Sequence, residues 1–349
     1  MYDAQASTTI TALQTGNSAI FSDATINNIL ALTTKANDTT VRFDQVTPDS
    51  SGNVTVPSGA EVVLVTTSDT AQTTIAPPAN APVVIFQGRG GVIATINDAA
   101  ASVPSNDQTH VDRVVIGSAG NDKIIVADAR NTQVILGTGN STVTTGAGVD
   151  TVVAGLGNST VVGGSGDYAV VKLAGNAANY QVSTTNGHAV VTDTTTNKVT
   201  DISKIQYVQL DNGNALVFAK DSIEAAIANL YHTAFGRDAD AGGLDYWFDL
   251  GRAGASLKQI ADAFTHSAEF AVRALLDDTS FVQQLYQTTF NRAGESAGVA
   301  YWVDALQHGA SRADLIQSFS TIAVQNITHT AVHQEAQVVG SITIVTGII

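Results

Sequence analysis

At 349 residues the chain exceeds one ordinary domain and has room for two or three, each with its own core. Its formal net charge of −15, from 31 acidic and 16 basic residues, repels a phosphate backbone, and no basic stripe offsets it, which excludes nucleic acid as a partner. Cysteine is absent, so disulfides, thiol chemistry and Cys-bound zinc are excluded too.

Charged residues make up 13% and aromatics 6%, and the rest is dominated by Ala, Val, Thr, Gly, Asn and Asp, a profile of many short strands and turns. The opening MYDAQASTTITAL has no basic stretch followed by an apolar run, so export is expected to be directed from elsewhere in the chain. No apolar stretch approaches the length of a membrane span. Residues 1–116 form a β-rich region with strand-like runs NVTVPSG, EVVLVTT, PVVIFQG and GVIATIN between turn residues. Within it, Ile26, Ile29 and Leu30 recur at helical spacing and predict a short helix over Ala24 to Leu32.

Residues 117–171 read in nines: GSAGNDKII, then after the extra Val126, ADARNTQVI, LGTGNSTVT, TGAGVDTVV, AGLGNSTVV and GGSGDYAVV. The eighth position is always apolar, at Ile124, Val134, Val143, Val152, Val161 and Val170, and glycine holds the fourth at Gly120, Gly139, Gly148, Gly157 and Gly166. The repeat predicts a stack of short strands around a narrow apolar core, with glycines at the turns. GNSTV recurs after 18 residues, at 139 and 157, as expected if one coil takes two nonads.

This pattern resembles the RTX (repeats-in-toxin) nonapeptide β-roll, whose motif is G-G-x-G-x-D-x-U-x. The resemblance implies calcium held between turns by the aspartate at position six and by turn carbonyls, which here points to Asp122 with Ser118, Gly120 and Asn121, and to Asp150. Thr132, Ser141, Ser159 and Tyr168 occupy the sixth position elsewhere, and Asp122 and Asp150 are expected on opposite edges of the roll. The resemblance also implies type I secretion to the cell exterior.

Residues 172–218 alternate short β runs with Asn-Gly turns and resemble the β cap that follows such rolls. From Asp221 the apolar spacing turns helical, and residues 221–328 hold a duplication: Tyr231, Arg237, Trp247, Ser256 and Phe264 recur as Tyr286, Arg292, Trp302, Ser311 and Phe319, each 55 residues on. The phrases LYHTAFGRDADAGGLDYW and LYQTTFNRAGESAGVAYW resemble the DUF4214 family, a helical module of secreted and surface-layer proteins; the second departs at Asn291 and loses the aspartates over Ala293 to Ala297.

Asp238, Asp240, Gly243 and Asp249 fall at positions one, three, six and twelve of an EF-hand-like loop. Gly242 at position five and an aspartate at twelve leave a competing reading, in which Asp240 caps the next helix. His329 and His333 are four apart, but Thr330 stands where a zinc peptidase needs glutamate. Residues 329–349 end in an alternating apolar strand, expected to carry the secretion signal or to pair with a neighbouring subunit.

The expected architecture is therefore a β + α multidomain chain. A β-rich N-terminal region runs into a parallel β-solenoid with a β cap, followed by an all-α domain of two related repeats. The expected function is non-enzymatic: a secreted structural protein whose partner is itself, forming a surface layer or biofilm-matrix polymer with Ca²⁺ bound. An adhesin for cell-surface glycan or lipopolysaccharide is the second reading and a solenoid polysaccharide-active enzyme the third.

Overall fold

A computed structural model describes residues 2–5, 23–33, 40–56, 59–78, 80–98, 100, 110–165, 169–185, 188–237, 239–325, 328–330, 334–339 and 342–346. Two compact units divide it, residues 1–182 with 188–211, and residues 183–187 with 212–349.

The first unit is a parallel β-solenoid. Its strands are β1 (Tyr2–Gln5), β2 (Thr40–Val46), β3 (Val62–Thr66), β4 (Thr73–Ile75), β5 (Val83–Gln87), β6 (Val92–Ile96), β7 (Arg113–Ile116) and β8 (Lys123–Val126). They continue as β9 (Thr132–Ile135), β10 (Ser141–Thr144), β11 (Asp150–Val153), β12 (Ser159–Val162), β13 (Ala169–Lys172), β14 (Tyr180–Thr185), β15 (His188–Asp193), β16 (Val199–Ser203) and β17 (Tyr207–Gln209). Within this unit the strands alternate between two sheets, one running β1-β2-β3-β5-β7-β9-β11-β13-β17 and the other β14-β15-β16-β12-β10-β8-β6-β4. Neighbours from β2 to β17 and from β4 to β16 are parallel, while β1 lies antiparallel on β2 and β15 antiparallel on β16.

The two-nonad coil is present: Ser141 pairs with Ser159, eighteen residues on, and Gln133 with Thr151. The same ladder also extends beyond 117–171 in both directions, from β2 through Tyr207–Gln209. Coils outside the repeat differ in length, with Val62 on Val83 and Val83 on Val114, so no fixed period marks them in the sequence.

The core follows from strand parity. Val63, Val84, Val115, Val134, Val152, Val171 and Val208 stack in one inward row. Ala94, Ile124, Val143, Val161 and Ile202 stack in the facing sheet. All are essentially inaccessible, and β-branched side chains suit such rows because their restricted rotamers pack well on a pleated surface. One nonad is out of phase. Val152 pairs with Val171, so Val171 joins the row while Val170 turns to the opposite face; the turn before β13 is one residue longer than its neighbours.

Close coil spacing explains the glycines. A Cβ on Gly137 would lie 1.8 Å from the Ser118 carbonyl oxygen, and one on Gly164 1.8 Å from that of Thr145. Here glycine is required for space rather than for a left-handed backbone.

The predicted N-terminal helix spans Asp23–Thr33 (α1). It covers the outer face of the first sheet, where Ile29 packs with Val41, Phe43, Val62, Val83, Ile85, Val114, Ile116 and Ile135. Asn28 donates to Gln133 at 2.9 Å on the same face. Burying an isoleucine of this kind is worth about 1.5–3 kcal/mol.

The second unit holds β18 (Ala215–Ala219), then α2 (Ser222–Phe235), α3 (Ala241–Arg252), α4 (Leu257–Thr265), α5 (Ala271–Ala274), α6 (Asp278–Phe290), α7 (Ser296–Gln307) and α8 (Arg312–Gln325). The chain closes with β19 (Thr328–Thr330), β20 (Gln334–Val339) and β21 (Ile342–Thr346). The β-then-α order thus stands as read from sequence. Helices α2, α3 and α4 recur as α6, α7 and α8. Helix α2 ends on Gly236 at φ 64° and α6 on Asn291 at φ 52°, so the Gly-to-Asn departure retains a residue that tolerates the left-handed cap. Ser256 and Ser311 close equivalent N-terminal boxes with Gln259 and Asp314. The C-terminal strand β21 pairs parallel with β18 and antiparallel with β20, within its own unit. Among the described residues no helix is long and apolar enough to cross a membrane.

Candidate functional site

In a strand, positions six and eight of a nonad share one face. Position six therefore points inward as well, at the mouth of the core beside the turn. Asp122, Thr132, Ser141, Asp150 and Ser159 are all buried there. Their partners are main-chain donors of the same or the adjoining coil. Asp122 accepts from the Ser118 N–H at 2.8 Å, the Ser118 hydroxyl at 2.6 Å and the Val92 N–H at 3.0 Å. Asp150 accepts from the Gly146 N–H at 2.6 Å and the Thr132 N–H at 2.9 Å. Ser141 accepts from the Asp122 N–H at 3.3 Å.

One residue earlier, position five carries a second ladder. Asn121 accepts from the Asn140 N–H, Asn140 from the Asn158 N–H, and Asn158 from the Val199 N–H, at 2.8, 2.9 and 3.0 Å. On the other edge Asp112 accepts from the Asn131 N–H, and Asn131 from the Val149 N–H. Each bond satisfies a turn amide the strands leave unpaired.

Asp122 leads into β8 of one sheet and Asp150 opens β11 of the other, on opposite sides of the roll. The structure does not bring them together. Ser118 serves as a donor to Asp122, and Gly120 gives its N–H to the Ser118 hydroxyl at 3.1 Å. Donors converge on both carboxylates, where a cation would need bare oxygens, so these residues do not fit a calcium ion as arranged. Among the described residues no three or more His, Asp or Glu side chains stand together to hold a metal.

Sequence reading missed a buried ion pair in the solenoid. Arg113, wholly buried, donates from both terminal nitrogens to Asp128 at 2.9 and 2.8 Å, and to the Thr132 hydroxyl at 2.8 Å. Asp128 also accepts from the Asp98 N–H at 2.7 Å and the Arg130 N–H at 3.1 Å. Burial acts to raise the Asp128 pKa, but the bonds from Arg113 and Asp98 outweigh it and hold the carboxyl below its ordinary range. Asp150 lies beside this pair with no cation of its own, and burial pushes it up to about 7 against the N–H bonds of Gly146 and Thr132.

That difference sets a pH dependence. With a folded-state pKa near 7 and an ordinary value of 3.8, Asp150 keeps its proton in the folded chain where the unfolded chain has lost it. Stability then falls as pH rises between about 4 and 7. Asp122 is raised in the same direction, by burial. The expected result is a higher urea midpoint for the solenoid at pH 5 than at pH 7, with a flatter profile in Asp150→Asn; an Asp150→Asn profile as steep as the parent would assign the slope elsewhere.

In the helical unit Asp240 caps α3, accepting from the Gly243 N–H at 2.8 Å. Asp249 lies inside that helix, 3.6 Å from Arg252. Positions four to twelve of the proposed calcium loop are therefore helical, and Asp240 and Asp249 do not converge as EF-hand ligands; Asp238 lies outside the described residues. His329 stands in strand β19 rather than on a helix, and His333 lies outside the described residues.

Both tryptophans, equivalent in the duplication, pack in aromatic clusters. Tyr231, Phe235, Trp247 and Phe264 form one, with Trp247 donating to the Tyr231 hydroxyl at 3.0 Å and Arg237 lying 5.0 Å from the Tyr231 ring centre. Tyr286, Phe290, Trp302 and Phe319 repeat it beneath Arg292 at 5.2 Å. Gly243 and Gly298 admit the two tyrosine hydroxyls, since a Cβ would stand 2.5 and 2.4 Å from them. Outside each cluster a second tyrosine, Tyr246 or Tyr301, stands edge-on to the tryptophan and exposed, a feature that helical spacing alone did not single out.

No curated protein and no solved structure matches the chain. The family described as a domain of unknown function (DUF4214) matches twice, over residues 217–274 and 261–323, so the two helical repeats are the part of this chain that is similar to that family.

Proposed function

We propose that the protein is a non-enzymatic, secreted structural component that self-associates in an extracellular surface layer or matrix. The observation that carries this reading is the fate of the solenoid carboxylates. Asp122, Asp128 and Asp150 point inward and spend their oxygens on N–H and guanidinium donors, so the groups able to do chemistry build the rod instead. The glycine nonads, similar to RTX repeats, support export by type I secretion, and the absence of cysteine suits an oxidising exterior in which hydrogen-bond ladders replace disulfides.

Calcium enters this proposal as an effector of assembly, with no site assigned to the roll aspartates. Electron microscopy and light scattering of the purified chain, in millimolar calcium and then in chelator, test it. Ordered fibres or sheets are the expected result; fibres that vanish in chelator would establish calcium as the trigger, and fibres that persist would place the contacts in strands and helices. Monomers under every condition would overturn the structural reading.

A further inference from the structure

The duplication has kept something its core does not need. Tyr246 is 55% exposed and Tyr301 66% exposed, yet both copies retain them at equivalent places. Each ring stands at 78° to its neighbouring tryptophan, at 4.9 Å for Tyr246 on Trp247 and 5.0 Å for Tyr301 on Trp302. The tryptophans are fixed from behind by Phe264 and Phe319, so each copy presents a rigid right-angled aromatic corner. One helical turn beyond each tyrosine, on the same face, stands a carboxylate: Asp249 and Asp304, with side chains 45% and 70% exposed.

An exposed aromatic face beside a hydroxyl-accepting carboxylate is suited to a pyranose ring, whose C–H face stacks on the aromatic while its hydroxyls donate to the acid. We infer that Tyr246 and Tyr301, with Asp249 and Asp304, form two equivalent saccharide-binding sites for a neutral polysaccharide. Neutrality follows from charge: a chain at −15 with a carboxylate in each site repels a polyanion. A polymer with repeated sugars offers a ligand for each site. The inference is independent of self-assembly.

The test uses the full chain, whose two tryptophans are both in these corners, so its intrinsic tryptophan emission reports on them. Affinity electrophoresis and emission are measured with dextran, hydroxyethylcellulose and galactomannan, with alginate as the polyanion, while light scattering follows assembly separately. The expected result is retardation and an emission change with at least one neutral polymer and none with alginate. Tyr246→Ala or Tyr301→Ala should each weaken it about tenfold, and the double variant should abolish it while keeping the parent's circular dichroism. Asp249→Asn with Asp304→Asn should weaken it about fivefold. Response to none of the three neutral polymers, retardation by alginate alone, or full binding by the double tyrosine variant would overturn the inference. So would a double variant that loses self-association when the parent shows no saccharide response.

Discussion

Replacing Arg113 with methionine should cost the solenoid about 3–5 kcal/mol, the penalty of leaving one member of a buried ion pair without its partner. Asp128 would keep its bonds from the Asp98 and Arg130 amides but lose both guanidinium contacts, in a place where neither side chain reaches water. Urea unfolding followed by far-ultraviolet circular dichroism checks this, because both tryptophans lie in the helical unit and their fluorescence does not report on the solenoid. Two further results are expected. Arg113→Met with Asp128→Asn should be less damaged than Arg113→Met alone, because the amide removes the unpaired buried charge while its one oxygen still accepts one of the two backbone bonds, which reach Asp128 on separate oxygens. Acidification should shrink the Arg113→Met penalty as Asp128 takes up a proton. A cost under about 1 kcal/mol would mean that relaxation or water has rescued the carboxylate.

Gly137→Val should be comparably severe, about 3 kcal/mol or more, for a steric reason. The neighbouring atom is the Ser118 carbonyl oxygen, main chain rather than a yielding side-chain tip, so adjacent coils would have to separate and stretch the bonds between them. Gly175→Ala is the contrast. Gly175 has φ +90° and nothing within 4 Å of a Cβ, so only left-handed backbone strain opposes alanine, about 1–2 kcal/mol. If the two variants unfold at the same urea concentration, the spacing argument fails.

What the sequence made legible was whatever repeats at short range. The apolar eighth position, the coil of two nonads and the helix around Ile26 and Ile29 all follow from periods of nine, eighteen and three to four. The 55-residue duplication likewise located the Tyr231 and Tyr286 clusters. Coils β2 to β7 stayed hidden because loop lengths vary while register is held by hydrogen bonds the sequence does not display. The inward turn of Asp122 and Asp150 was available from strand parity, since six and eight differ by two, but the calcium template assigned both to sites between turns. Arg113 and Asp128 meet across adjoining coil turns without any repeating spacing, and Val171 replaced Val170 in the core through one extra turn residue. The exposure of Tyr246 and Tyr301 depends on how α3 and α7 are seated, which the shared Tyr-Trp pairs did not indicate.

A reversed strand stands at one edge of each solenoid sheet, β1 on β2 in the first and β15 on β16 in the second. Eight parallel strands from β2 to β17, separated by seven steps of roughly 4.8 Å, make a stack of roughly 34 Å. A further coil, which must add to both sheets, would find β1 reversed on β2 in the first sheet at the N-terminal end, and β15 reversed on β16 in the second sheet at the C-terminal end. The fold thus works as a ruler rather than a growing thread: copies that join do so as finished blocks, and the repeat of any lattice they build is set by the block, not by the 4.8 Å step of its strands.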